Sequence, residues 1–236
     1  MFGVIVNTGT VLVGSLLGLI FKKGIPEKVT SAVMTAIGLC SLYIGIDGTL
    51  EGNNALVAII SMALGAIVGT LLDIDGRLNK LGDYIGSKTK NSDAGSVSQG
   101  FVTGSLLFCV GAMTIVGSLK SGLTGDHELI LTKSVLDFFS SMMLSASLGI
   151  GVMFSGAFVF VFQGLLVLLA RYIEPILTTA AIAEITCVGS LMIIGIGLNL
   201  IGVTKLKVSN YLPAIIFAPL ATLLMEKLVA VLGLAL

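Results

Sequence analysis

Charge is scarce in this chain of 236 residues. Asp, Glu, Lys and Arg make up 11%, where a soluble domain carries about 25%. So few ionisable groups cannot cover an exterior in water, which excludes a soluble globular domain. There is no tryptophan, and His127 is the single histidine, so a histidine metal site or a Ser–His catalytic pair has at most one member. Basic and acidic residues balance at 13 each, leaving no basic surface to draw nucleic acid through its phosphates. Cys40, Cys109 and Cys187 are an odd set, each inside an apolar run and without zinc-site spacing or a disulfide framework; they read as small buried hydrophobes. Enzyme motifs are missing too. Met153-Phe-Ser-Gly156 is not a nucleophile elbow, Gly125-Asp126-His127 has no intramembrane aspartate partner, and there is neither HExxH nor a phosphate-binding loop ending in Lys-Ser/Thr. The expectation is a protein that is not an enzyme, needs no cofactor or metal, and does not by itself drive transport with ATP.

What the chain has in quantity is apolar sequence and glycine: 56% hydrophobic residues and 30 glycines. A helix needs about 20 apolar residues to cross a bilayer, and only helices or closed barrels satisfy their backbone there. The long runs predict an all-α integral membrane protein of about eight spans, seven or eight. They are Phe2–Phe21, Val29–Ile46, Ala55–Leu72, Phe101–Leu119, two within Ser134–Ala170 that meet near Gly149-Ile-Gly151, Ile182–Thr204, and Val208 to Met225. Met1-Phe2-Gly3 lacks a basic n-region, so the first run reads as a retained helix rather than a signal peptide.

The long connection from Asp73 to Gln99 divides the sequence into an N-terminal three-helix membrane part (1–72), a cytoplasmic segment (73–99) and a C-terminal five-helix part (100–236). Within it, Ile74, Leu78, Leu81 and Ile85 form one apolar stripe, which predicts an amphipathic helix on the membrane surface. Ser87 to Ser98 reads as a flexible linker. With the N-terminus outside, nine Lys and Arg fall in cytoplasmic loops and four on the other side, so the positive-inside rule predicts both termini outside. The tripeptide Val-Gly-Ser recurs from Val13, Val116 and Val188; an internal repeat and coincidence in a glycine-rich chain both account for it.

Glycine pairs such as Gly14/Gly18 and Gly65/Gly69 have the GxxxG spacing that lets helices pack closely. Gly111, Gly117, Gly149, Gly151, Gly195 and Gly197 equally suit local unwinding around a solute. Ionisable residues inside spans are more telling, because a charge in the bilayer is costly. Asp137 and Glu184 are the two, each about one turn inside the outer end of its span. Asn7, Thr114 and Ser141 share that outer half, and Gln163 lies near mid-span. If these faces converge they make one oxygen-rich pocket open to the outside, fit for a cation, a proton or a hydrogen-bonding solute. The structural alternative is a helical ion pair of Asp137 with Lys133, four residues earlier, and cross-helix hydrogen bonds from Asn7 and Gln163. Asn199, Lys205, Lys207 and Asn210 mark a second polar place, an inner gate or simply a basic turn.

Several strings together carry a resemblance: Asn7-Thr-Gly-Thr-Val-Leu-Val-Gly-Ser15, Phe108-Cys-Val-Gly-Ala-Met-Thr-Ile-Val-Gly-Ser118, Lys133-Ser134 with Asp137, Gln163-Gly164, Glu184, and Gly195-Ile-Gly-Leu-Asn199. They resemble the YdfK/YqgA family of prokaryotic multi-pass inner-membrane proteins over nearly the whole chain. That family is classed as a domain of unknown function and sometimes labelled a transporter, so the resemblance implies location and topology class but no substrate. The reading is a transporter or channel of the bacterial inner membrane, for a small solute or ion and open to cation or proton coupling. Its partners are the lipid bilayer, that solute or cation, and in one reading a second copy of the chain. The alternative is a non-transporting scaffold or regulatory subunit.

Overall fold

A computed structural model describes residues 1–22, 27–80, 94–109 and 112–232. Among these residues every regular element is helical: α1 (Phe2–Lys22), α2 (Glu27–Thr49), α3 (Ala55–Leu71), α4 (Ile74–Lys80), α5 (Ala94–Cys109), α6 (Ala112–Leu123), α7 (Glu128–Leu148), α8 (Gly151–Leu168), α9 (Ala170–Ile173), α10 (Thr179–Leu200), a 3₁₀ turn (Val208–Tyr211) and α11 (Ala214–Leu232). The chain is an all-α membrane protein. Five stretches are long and apolar enough to cross a bilayer, namely α1, α7, α8, α10 and Val208–Leu228; the bent pairs α3–α4 (52°) and α5–α6 (60°) raise the number to as many as seven. The sequence count of eight adds α2, whose 23 residues rise about 34 Å.

Local chemistry sets the ends. The Asn54 side chain caps α3 by accepting from the Leu56 amide at 3.0 Å, and Thr178 caps α10 by accepting from Ala181 at 3.1 Å. Gly149 ends α7 at φ 80°, a conformation that favours glycine; it separates α7 from α8 where the sequence places that break. Asp73 takes φ 47° at the α3–α4 bend, a left-handed position that Asp tolerates better than most residues.

The helices gather into two groups. In one, α1 lies along α7 and α8, and α5 and α6 pack on α8 and α7; in the other, α2 lies along α10, and α3 and α10 pack on α11. Glycine makes these approaches possible. A Cβ on Gly14 would strike the Phe138 carbonyl oxygen and one on Gly18 that of Met142, so α1 and α7 touch backbone to backbone. Gly45 and Gly48 do the same for α2 against Ser190 of α10, and Gly65 and Gly69 for α3 against Ala214 and the Asn210 carbonyl. α10 is the central helix: 78% of its apolar stretch is buried, against 33–44% for the other four single spans.

Several expectations change. The fourth run is not one straight helix; it breaks between α5 and α6 around positions 110–111, which with Gly111 lie outside the described residues. Gly117, Gly195 and Gly197 sit in continuous helix, not in unwound segments. The stripe's Ile74 and Leu78 lie on the short helix α4 and line a cavity with residues of α5 and α8; Leu81 and Ile85 lie outside the described residues, as does the linker up to position 93. The linker's end is helix instead: Val97 and Ser98 are buried in the first turns of α5. Cys109 and Cys187 are buried as expected, but Cys40 is exposed.

Candidate functional site

The polar residues picked out by sequence divide between the two helix groups. In the first, Lys133 and Asp137, both on α7, lie one helical turn apart, and the Lys133 ammonium donates to both carboxylate oxygens at 2.7 Å. Both residues are buried. Asn7 of α1 reaches the same place: its side-chain Nδ2 donates to Gln163 Oε1 of α8 at 3.2 Å, and it lies beside the Asp137 carboxylate. Asn7 and Gln163 are 0% exposed, and Asn7 Oδ1 and Gln163 Nε2 take no hydrogen bond. Cys109, at the end of α5, completes the neighbourhood. Asn7, Asp137 and Gln163 therefore do converge, on three helices, around an internal ion pair.

Thr114 and Ser141 have local roles. The Thr114 hydroxyl donates to the Phe108 carbonyl at 3.1 Å, satisfying an oxygen in the last turn of α5 next to the break. Ser141 donates to the Phe138 carbonyl at 3.0 Å and lies where α1 passes closest, against Gly14.

Glu184 does not join them. It lies on α10 in the second group, 1% exposed, and its Oε1 accepts the backbone amides of Asn53 and Asn54 at 2.8 and 2.7 Å. The single outward pocket holding both carboxylates is thus not formed: similar depth along two helices does not put two residues in one bundle, and α7 and α10 belong to different ones. Glu184 instead anchors the loop that leads into α3.

Cavities follow the second group from end to end. Beside Glu184 is one of about 260 Å³, lined also by Asn53, Asn54, Thr222 and Glu226. Asn54 is shared with a larger one of about 680 Å³ between α3 and α10, walled mainly by apolar side chains such as Ala58, Met62, Leu191 and Met192. That cavity shares Leu206 and Val208 with a third of about 540 Å³, whose walls carry Asp75, Asn79, Gln99, Asn199, Lys205 and Lys207. Asn199 folds this last wall: its Oδ1 accepts from Thr204 Oγ1 at 2.7 Å and the Leu206 amide at 2.8 Å, and its Nδ2 donates to the Leu206 carbonyl at 2.8 Å. Asn210 ties α4 to it by accepting from the Asp75 amide at 2.9 Å. Asp137 lines none of these cavities. The sequence reading missed Asn53, Thr222, Asp75 and Gln99, which lie in a loop, near helix ends or as a single hydroxyl, and Glu226, which falls just past the eighth apolar run as read from sequence but within α11.

A family model described as a protein of unknown function (DUF554) matches residues 2–223. The chain is 32% identical over 223 residues to the "Uncharacterized membrane protein YdfK" of Bacillus subtilis (strain 168), covering 93% of this chain and 94% of the relative. It is 30% identical over 222 residues to the "Uncharacterized protein YqgA" of Escherichia coli (strain K12), covering 92% and 94%. No solved structure gives a significant match.

Proposed function

Because the chain belongs to the DUF554 family of proteins of unknown function, we propose its activity from its own geometry: a transporter or channel of the inner membrane that carries a small solute or ion along α10. The observation that supports this is the series of three adjoining cavities, with ionisable residues in the walls at each end and mainly apolar ones between, which runs past α10, the most buried of the five single spans. A polar mouth binds and orients a solute; an apolar middle limits leakage by excluding water from a continuous wire. On the charge distribution of the loops, the mouth with Lys205 and Lys207 faces the cytoplasm and both termini face outside. The Lys133–Asp137 pair lines none of the three cavities and sits with Asn7 and Gln163 where α1, α7 and α8 meet.

The rival, a non-transporting scaffold, draws its support from that same closed pair. Proteoliposomes separate the two. With the protein incorporated, uptake of at least one small polar solute or monovalent ion should exceed that of empty vesicles, and Ala58→Leu, which fills the central cavity, should abolish the excess. Vesicles no more permeable than empty ones across a panel of ions, sugars, amino acids and organic acids would favour the scaffold.

A further inference from the structure

We propose that Glu184, Thr222 and Glu226 form a binding site for a hard metal cation at the end of the second helix group where α3 begins. Binding here is independent of whether the protein transports anything. Glu184 Oε1 is fully engaged by the Asn53 and Asn54 amides at 2.8 and 2.7 Å, which fixes the carboxylate in place. Its Oε2 is buried and takes no hydrogen bond, a costly condition for a carboxylate oxygen in an apolar surround. Among the described residues no basic side chain pairs with it, and the ion pair found there is Lys133–Asp137, in the other helix group.

The cavity of about 260 Å³ that Glu184 lines is large enough for an ion and several waters, and the other polar groups around it bear oxygen. Thr222, 4% exposed, spends its proton on the Ala218 carbonyl at 2.9 Å and so presents lone pairs to the cavity. Glu226, one turn further along α11, is exposed at the rim and brings a second carboxylate, and Asn53 brings an amide oxygen. A set of carboxylate, hydroxyl and amide oxygens selects sodium, calcium or a similar hard cation over softer metals. No group of three or more His, Cys, Asp or Glu is found among the described residues, so neutral oxygens and water complete the shell around the two carboxylates. Asp47, in the last turn of α2, and Glu51, in the loop before α3, are nearby in sequence, which raises the local concentration of cations.

The test is thermal unfolding of the purified full chain in detergent, titrated with sodium chloride or calcium chloride against N-methylglucamine chloride at equal ionic strength. A saturable rise in Tm with either metal ion is expected, since a ligand of the folded state stabilises it by mass action. Glu184→Gln keeps a carbonyl oxygen for the Asn53 and Asn54 amides but puts an NH₂ group at the place of Oε2, so it should abolish the rise. Glu226→Gln, at an exposed position, should fold normally and weaken the apparent affinity roughly tenfold, about 1.4 kcal/mol. Should Glu184→Gln not fold, Glu226→Gln and Thr222→Val still decide the matter. The proposal is overturned by a Tm that neither metal ion moves beyond the organic cation. It is equally overturned by variants that respond like the wild type.

Discussion

A lysine and an aspartate inside a membrane protein persist only with good partners, and Lys133 and Asp137 have each other at 2.7 Å twice over. The consequence for mutation is asymmetric: removing one partner leaves a buried charge, whereas removing both leaves none. Lys133→Met and Asp137→Leu should each destabilise the protein by roughly 3–5 kcal/mol, while the two substitutions together should recover most of the loss. Thermal unfolding of the four proteins in one detergent measures this as a double-mutant cycle. Single variants that unfold like the wild type would show that the pair carries no structural load. At this scale the sequence was informative, because Asp137, Glu184, Asn7 and Gln163 stand out against apolar runs. It was informative about depth only. Depth along a helix is a one-dimensional coordinate, and which of two helix groups a residue enters depends on packing between elements far apart in the chain.

Helix contacts in this protein are set by where a side chain is missing. Gly9, on the same helix as Gly14 and Gly18, has nothing within 4 Å of an added Cβ, whereas the other two face α7 backbone. Gly14→Ala and Gly18→Ala should therefore each cost about 1–3 kcal/mol through overpacking, and Gly9→Ala should stay within about 0.5 kcal/mol of neutral. Equal effects at the three positions would contradict the α1–α7 contact. The start of α5 gives a second expectation. Gly151 of α8 lies against the Val97 carbonyl, and Val97 is 2% exposed, so a deletion that reaches into Ala94–Ser98 should abolish monodisperse protein in size-exclusion chromatography. The GxxxG pairs made the close packing legible from sequence. The break between α5 and α6 was not legible, because the chain has 30 glycines and many of the described ones, such as Gly14, Gly18, Gly45 and Gly65, pack helices without interrupting them.

For the molecule as a whole, hydropathy predicts an all-helical membrane protein correctly, since composition and run length follow directly from the solvent. The cavities beside α10 were hidden, because they lie between helices distant in sequence and many of their walls are ordinary apolar residues. Orientation rests on nine Lys and Arg that the sequence assigns to the cytoplasmic side against four on the other, one of the four being Lys133, the buried partner of Asp137. It predicts that cysteines placed at Lys205 and at Asp126, in proteins otherwise free of cysteine, react with an impermeant thiol reagent from opposite sides, Asp126 from outside; the reverse pattern would invert the topology. Water access to the middle of the α10 route decides between a transporter and a scaffold. Ala58, 6% exposed, lines the central cavity of about 680 Å³. The decisive measurement is labelling of Ala58→Cys in reconstituted protein whose Cys40, Cys109 and Cys187 are replaced by serine, with a small charged thiol reagent and with a lipid-soluble one. A solute route predicts that the charged reagent modifies this position from at least one side of the membrane. Modification by the lipid-soluble reagent alone would mean that the cavity opens only to the bilayer, and would contradict the account.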